Sequence, residues 1–280
     1  MNDKAIEDLP SLCKIIGYTY NVPSCIASPF FEYKDYEDWM ELKGNYQNIP
    51  DTFIPGFKRF STGILWLVFF TILSVMYKPI FLVDESFCSK SLLQQSFQQF
   101  MTMNTIKYTY FMVFALNDGN LVSSGLAYDH QGKREGKSNF DRIKNINENI
   151  IDTNFYAKRI AVSWNMTISF WLKKYVYNRL VSNSDKRPGM FEFLMTFLIS
   201  AFWHGFYPGY YLFFVYFGVF AYSSGEIKKY YSWYFMFLPQ VIRRSMSVAL
   251  TLVFTFYIVP VFAIYDIRDI FYYHNCQYWY

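Results

Sequence analysis

The sequence predicts an all-α, polytopic transmembrane protein, and two observations support this fold class. Long apolar runs alternate with polar stretches, and 17% of the residues are charged, compared with about 25% in a typical soluble domain. Aromatic residues make up 23% of the chain, and tyrosine and tryptophan favour membrane–water interfaces. Because lipid cannot hydrogen-bond to the backbone, such runs form helices. We expect residues 1–280 to form a single helical membrane domain.

Residues 1–57 are predicted to form a re-entrant segment followed by a loop. The run 11–31 is apolar, but Pro23 and Pro29 interrupt it, which favours a broken or re-entrant helix over a straight span. The acidic stretch 32–50 indicates a loop or a surface helix. No basic start followed by an apolar core is present, so the sequence shows no targeting segment.

Residues 58–127 are predicted to form transmembrane helices. The clearest span is 61–76, which is flanked by basic residues on both sides. A second helix, 91–116, carries four glutamines, and this polar face indicates packing inside the protein rather than against lipid.

A polar loop is predicted at 128–153, and the catalytic helices and a final span at 154–265. Residues 154–180 have the period of one continuous helix with a single apolar stripe. The stripe consists of Trp164, Ile168, Trp171, Leu172 and Tyr175. The run 190–222 predicts a helical hairpin that breaks around Pro208.

The last predicted span is 240–265, which begins near two arginines and contains Pro260. Residues 266–280 are expected to form a tail. Basic pairs flank several of the apolar runs and indicate anchors that face lipid headgroups.

His204 is the most informative residue, because it lies within a membrane-length apolar run. The run Met190–Tyr222 has one charged side chain, Glu192, near its start. Ionisable groups at such depth are costly and usually face a protein interior or a water-filled cavity. A neutral imidazole can accept a proton from a hydroxyl, so His204 is a candidate general base. The alternative is a structural histidine that is hydrogen-bonded to a neighbouring helix.

Asn165 is a second polar residue in apolar surroundings, and like His204 it directly follows a tryptophan. Its amide can donate to a developing oxyanion or hold a histidine in one tautomer. Together with His204 it would make an acyl-transfer site. Two alternatives stay open. Asn165 can hold two helices together, or, because Asn165-Met166-Thr167 is a sequon, it can be a glycosylated surface residue.

Ser200 precedes His204 by one helical turn, so the two residues share a helix face. A serine–histidine pair could form an acyl-enzyme. No GxSxG motif surrounds Ser200, and direct transfer is therefore favoured. The four cysteines and three histidines show neither metal-ligand nor disulfide spacing, so neither kind of site is expected. The scattered net charge of +4 does not favour nucleic acid as a partner.

The sequences around these residues can be compared with known families. They are SAFWHGFYPGYYL (200–212), SWNMTISFWLKKYVYNRL (163–180) and, near the start of the chain, LPSLCKIIGYTYNVPSCIASPFFEYKDY (9–36). They resemble the histidine motif, the asparagine motif and the substrate-chamber segment of the membrane-bound O-acyltransferase family. The resemblance is greatest to the lysophospholipid acyltransferase branch.

This resemblance implies acyl transfer from acyl-CoA to the free hydroxyl of a lysophospholipid, as in phospholipid remodelling. His204 matches the family's catalytic histidine, and Asn165 matches its partner asparagine. No metal or other cofactor is implied, since acyl-CoA is a co-substrate. Substrate-binding positions are expected at Trp164, Trp203, Tyr210, Tyr211 and Ser200. For the aromatic residues the alternative is a lipid-facing belt.

The resemblance also implies an integral membrane protein of the endoplasmic reticulum, with acyl-CoA, lysophospholipid and the bilayer as partners. Family members usually carry several helices before the segment that 9–36 resembles. The chain is therefore expected to correspond to the carboxyl-terminal portion of the fold, and a partner subunit could supply the missing helices. Two other classes stay open: a catalytically inactive, truncated membrane scaffold or complex subunit, and a transporter or channel.

Overall fold

The structure is a computed structural model that describes residues 6, 8–21, 23, 29–130, 139–153, 157–182, 189–231 and 237–278. Regular secondary structure within these ranges is helical throughout, which confirms the predicted all-α fold class. Residues 24–28 of the predicted chamber segment and residues 131–138 of the predicted polar loop lie outside the described residues.

The α-helices are numbered in chain order. The first seven are α1 (Leu12–Thr19), α2 (Tyr33–Met40), α3 (Phe53–Met76), α4 (Glu85–Cys88), α5 (Leu92–Ser123), α6 (Glu148–Thr153) and α7 (Ala157–Ser163). The others are α8 (Met166–Trp171), α9 (Asn178–Ser182), α10 (Met190–His204), α11 (Pro208–Tyr231), α12 (Gln240–Ala263) and α13 (Ile267–Tyr278). A π-helix (Leu172–Tyr177) joins α8 to α9.

Two helical stretches in the described part of the chain are long and apolar enough to cross a bilayer. They are Phe53–Leu82, which begins with α3, and Gln240–Ala263, which is α12. The predicted span 61–76 lies within the first stretch, and the predicted span 240–265 begins with α12 and extends two residues beyond its end. The predicted hairpin is present as α10 and α11, and it breaks immediately before Pro208, where the sequence predicts a break.

The chain divides into two compact units. Unit 1 comprises Met1–Phe70, Tyr108–Glu148 and Ser163–Ser169. Unit 2 comprises Thr71–Lys107, Asn149–Val162 and Phe170–Tyr280. Asn165 therefore belongs to unit 1, and His204 belongs to unit 2.

In unit 1, α3 packs against α5 through glycine. The buried residues of α3 are Gly56 and Gly63. A Cβ at Gly63 would lie 2.7 Å from the side chain of Leu116, so a larger residue does not fit there. Small residues let helix backbones approach closely in membranes. Most of the large apolar side chains of α3 stay exposed, as expected for a helix that faces lipid.

The core of unit 1 includes part of the loop that the sequence predicts as polar. Phe140 and Ile143 are buried in one cluster with the end of α5 and with Tyr46. The Tyr46 hydroxyl donates to the carbonyl oxygen of Leu126 at 3.0 Å. Apolar side chains within a charged stretch thus fix the loop 139–147 to the unit.

In unit 2, the end of the chain is a helix and not a tail. The helix α13 buries Ile270, Tyr273 and Cys276 in a cluster with Leu82 and Phe87. The Tyr273 hydroxyl donates to the carbonyl oxygen of Phe256 on α12 at 2.8 Å. This segment has no continuous apolar run, because only one face of α13 is buried.

Two further expectations about unit 2 are wrong. Cys88 and Cys276 form a disulfide, although their separation of 188 residues gives no local spacing signal. A histidine so close to the end of the chain is expected to be solvated or to face lipid headgroups. Instead, the His274 ring stacks on Tyr257 with centroids 4.1 Å apart, and both ring nitrogens are buried without a hydrogen-bond partner among the described residues.

Candidate functional site

His204 is the last residue of α10, a helix whose two ends are set by local sequence. At its start, the Glu192 carboxylate accepts a hydrogen bond from the backbone N–H of Gly189 at 2.7 Å. This contact satisfies one of the free N–H groups of the first turn and explains the charged residue in the apolar run. At its end, Gly205 has a φ of 127°, which a residue with a side chain rarely adopts. The chain therefore leaves the helix directly after His204.

The turn that follows His204 is fixed against the end of α12. Pro208 begins α11, where its missing N–H costs no hydrogen bond. The N–H of Gly209 donates to the carbonyl oxygen of Tyr265 at 3.2 Å. A Cβ on Gly209 would lie 2.5 Å from the carbonyl oxygens of Val261 and Ile264. Glycine at this position is thus required for the close approach of α11 to α12.

The imidazole of His204 lies among aromatic rings from three helices. The ring centroids of Trp203 and Tyr210 are 5.1 and 5.6 Å from that of the imidazole. Phe214 on α11 and Phe262 on α12 lie at 5.2 and 5.4 Å. We call these four residues the aromatic cage. The sequence motif indicates Trp203 and Tyr210, whereas nothing in it points to Phe262, which is 58 positions away from His204 along the chain.

The other predicted residues of this region differ in exposure. Ser200 is buried on α10, one turn before His204, as expected for a small residue that lets helices pack closely. Trp203 is 55% exposed although its ring contacts His204. Tyr211 is half-buried. The structure thus brings Trp203 and Tyr210 to His204, and the assignment of all these residues to substrate binding stays a prediction.

Asn165 lies at a break between two helices, which the predicted continuous stripe of 154–180 does not anticipate. The helix α7 ends at Ser163 and α8 begins at Met166. Asn165 has a φ of 48°, in the left-handed region that non-glycine residues rarely occupy. Asparagine tolerates this region better than most residues. Such backbone conformations persist only where the surroundings hold them, and they concentrate at functional sites.

The loop 139–147 stabilises this break between α7 and α8 through backbone hydrogen bonds to both helix ends. The N–H of Asn147 donates to the carbonyl oxygen of Ser163 at 3.0 Å. The N–H of Met166 donates to the carbonyl oxygen of Asn145 at 2.8 Å. Terminal backbone groups of α7 and α8, which would otherwise be unsatisfied, thus find partners in the loop.

The side chain of Asn145 connects Asn165 to Thr167. Its Nδ2 donates to Oδ1 of Asn165 at 3.0 Å. Its Oδ1 accepts from the N–H of Thr167 at 3.2 Å and from the Thr167 hydroxyl at 2.9 Å. The Thr167 hydroxyl in turn accepts from the N–H of Phe30 at 3.0 Å. We call Asn145, Asn165 and Thr167 the amide network.

Two ion pairs anchor the loop that carries Asn145. Arg59 on α3 contacts Asp141 at 2.9 Å, and Arg142 pairs with Asp35 on α2. Burial alone would lower the pKa of the Arg142 guanidinium, but the Asp35 carboxylate and other nearby acidic groups together outweigh this, and the pKa lies above its usual value. Arg142 therefore attaches the loop to α2 through a charged contact.

Trp164 is placed with α5. Its ring meets Tyr110 edge-on with centroids 5.3 Å apart, and Phe111 and Phe114 lie at 6.2 Å. These contacts pack the half-buried Trp164 ring against α5. They also hold Trp164 in place, and Trp164 directly precedes Asn165 in the chain.

Sequence reasoning did not identify Asn145, because it lies in a charged loop without periodicity. Thr167 was noted only as part of a sequon, in which the hydroxyl would serve glycosylation. Within the described residues, no group of three or more His, Cys, Asp or Glu side chains could hold a metal ion.

Comparison with known proteins agrees with the motifs around these two residues. The family model of the membrane-bound O-acyltransferases matches residues 2–265. This chain belongs to the membrane-bound O-acyltransferase family. Membership makes it an integral membrane protein, in agreement with the two helical stretches that are long enough to cross a bilayer.

Curated relatives of this chain include proteins named lysophospholipid acyltransferase. The one from Schizosaccharomyces pombe is 33% identical over 222 residues, which cover 76% of this chain and 43% of the relative. Lysophospholipid acyltransferase 1 of Arabidopsis thaliana is 30% identical over 213 residues, covering 74% and 46%. The Saccharomyces cerevisiae protein is 27% identical over 228 residues, covering 75% and 36%. The chain thus spans less than half the length of these relatives.

Proposed function

We propose that this chain transfers a fatty acyl group from acyl-CoA to the free hydroxyl of a lysophospholipid, as in phospholipid remodelling. Family membership and the names of its relatives support the reaction class. The observation that carries the proposal is Asn165, whose left-handed backbone and hydrogen-bonded amide are held by the partly buried amide network. An asparagine that only fills space does not need such a conformation.

In the proposed reaction His204 is the general base. Its neutral imidazole accepts the proton of the lysophospholipid hydroxyl while the hydroxyl oxygen bonds to the thioester carbonyl carbon. The carbon–sulfur bond then breaks, and the proton on the imidazole passes to the departing CoA sulfur. General base catalysis of this kind contributes roughly 100- to 10,000-fold. No electron transfer and no additional reactant are needed.

Asn165 is the proposed donor to the carbonyl oxygen, which becomes negative when the hydroxyl oxygen adds. Its amide N–H groups can stabilise this charge. Trp164, Trp203, Tyr210 and Tyr211 are proposed to line the path of the acyl chain, since aromatic rings with a polar edge suit a lipid substrate with a polar head. Ser200 is proposed to provide space beside His204.

The proposed location is the endoplasmic reticulum membrane. The Cys88–Cys276 disulfide supports exposure of that part of unit 2 to an oxidising compartment, because such bonds persist there.

The test is an acyl-transfer assay on the full chain. The chain is produced in membranes that lack their own lysophospholipid acyltransferase activity, and isotope-labelled acyl-CoA is supplied with a lysophospholipid. Product phospholipid is measured by mass spectrometry. We expect turnover by the parent chain and a loss of about 100-fold or more in His204→Ala. His130→Ala is the matched control, because His130 lies exposed in a loop of unit 1.

Unchanged turnover in His204→Ala would remove this residue from the mechanism. No turnover by the parent chain, together with co-purification of a stoichiometric partner protein, would instead support the catalytically inactive scaffold.

A further inference from the structure

We infer that Asn145 is a positioning residue, which sets the orientation of the Asn165 amide so that its N–H groups face the substrate. This inference rests on the proposed function, because it assigns Asn165 the role of donor. It adds a residue whose side chain need not touch either substrate.

The argument begins with the symmetry of the amide group. The oxygen and nitrogen of an asparagine side chain have nearly the same size, so packing alone cannot choose which one faces a given direction. A hydrogen bond can choose, because the oxygen only accepts and the nitrogen only donates. Asn145 Nδ2 is such a donor, and it lies 3.0 Å from Asn165 Oδ1. The Asn165 oxygen is thereby turned toward Asn145, and its nitrogen is left for another partner.

Asn145 has its own orientation fixed in the same way. Its Oδ1 accepts two hydrogen bonds from Thr167, one from the backbone N–H and one from the hydroxyl. A reversed Asn145 amide would place an N–H group against the Thr167 N–H, which cannot accept. Asn145 is also 4% exposed, so water cannot easily replace these partners. The Thr167 donors thus fix the orientation of the Asn145 amide, and the Asn145 amide in turn fixes the orientation of the Asn165 amide.

A second role of Asn145 has to be separated from this one. Its Oδ1 caps the start of α8 through the N–H of Thr167, and loss of a cap destabilises a helix. The change Asn145→Asp distinguishes the two roles, because aspartate keeps the shape and the acceptor oxygen that caps α8 but replaces the Nδ2 donor with a second acceptor oxygen. An acceptor facing Asn165 Oδ1 favours the reversed Asn165 amide, with the oxygen toward the substrate.

The expected result for Asn145→Asp is a fall in kcat of roughly 10- to 100-fold with little change in KM, as for a misplaced catalytic group. The ratio of variant to parent kcat should rise as the pH is lowered, since a protonated aspartate regains a donor. A residue with only a structural role would not restore turnover on acidification. Asn45→Asp is the matched control. Asn45 also donates to a carbonyl oxygen, that of Tyr128, and accepts from a backbone N–H, that of His130, but it contacts neither Asn165 nor Thr167.

Two variants of Thr167 keep the test decisive if Asn145→Asp folds poorly. Thr167→Val removes the hydroxyl that orients Asn145 and should lower kcat, whereas Thr167→Ser should retain most of it.

A double variant tests whether Asn145 acts through Asn165. In an Asn165→Gly background, Asn145→Asp should cause no additional loss, because it acts only through the Asn165 side chain.

The outcomes separate the inference from the proposed function. Parent-level kcat in Asn145→Asp beside an inactive Asn165→Gly would overturn the positioning role and leave the proposed function intact. Full activity in Asn165→Gly would overturn the role of Asn165 itself. Equal losses in Asn145→Asp with and without Asn165 would show that Asn145 acts structurally.

Discussion

The two candidate site residues are held by opposite kinds of contact. Asn165 is oriented by a hydrogen bond from Asn145, whereas the imidazole of His204 lies within the aromatic cage. A donor has to present one end of an amide, and only a hydrogen bond can select that end. A base has to exchange a proton with its substrate, and aromatic rings fix its plane without competing for that proton. In the proposed mechanism, Asn165 would therefore be a preset donor, while His204 would be a base that can respond to its substrate.

The strongest test of the preset donor is deletion of the Asn165 side chain. Asn165→Gly is compatible with the φ of 48°, so the backbone is retained. We expect turnover to fall by about 100- to 1000-fold, the usual effect of removing one donor to an oxyanion. Turnover is measured with labelled acyl-CoA, and folding is checked by the thermal midpoint in detergent.

Asn165→Ala separates the chemistry from the backbone. It should lose the same activity and, in addition, unfold more readily by about 1–2 kcal/mol, because alanine is strained in the left-handed region. Equal stability of the glycine and alanine variants would mean that the backbone at Asn165 is not strained.

A smaller effect is expected where the turn after His204 is fixed. Gly209→Ala places a Cβ 2.5 Å from the carbonyl oxygens of Val261 and Ile264. We expect a loss of stability of about 1–3 kcal/mol, as for other overpacked sites, and lower turnover. Gly225→Ala is the matched control on the same helix, since a Cβ there meets nothing within 4 Å. That variant should be equally stable or more stable by up to about 1 kcal/mol, because alanine favours helix.

The smallest effect is expected from the aromatic cage. Phe262→Leu keeps an apolar side chain but removes the ring 5.4 Å from His204. An aromatic pair contributes about 0.5–1.5 kcal/mol, so turnover should fall roughly two- to tenfold. Phe254→Leu is the control, because Phe254 lies on the same helix, α12, and stacks on Phe220 of α11. A larger loss in Phe254→Leu than in Phe262→Leu would contradict a specific role of the cage.

The sequence predicts the features that depend on local rules. Pro208 and Gly205 indicate the break after His204, and the apolar runs indicate α3, α10, α11 and α12. The break follows from the backbone preferences of proline and glycine, and the helices follow from the apolar runs. Residues that are neighbours in the sequence determine both signals. The motif also brings Trp203 and Tyr210 to His204, because they are close to it along the chain.

Features that depend on distant partners could not be predicted in this way. The break at Asn165 is stabilised by the loop 139–147, while the residues around it keep the period of an unbroken helix. Asn145 and Phe262 reach the candidate residues only through folding. The apolar face of α13 is too narrow to predict a helix from the sequence. Nothing in the sequence near His274 indicates that Tyr257 covers its ring.

The disulfide joins Cys88 and Cys276, which are 188 residues apart in the sequence, and so closes a covalent ring. The segment of chain that forms this ring includes both Asn165 and His204. A protease that nicks one exposed loop anywhere along this ring would therefore leave a single molecule, with its two fragments still tethered. Only a thiol reductant would release them, so nicked protein would migrate as one chain until reduced.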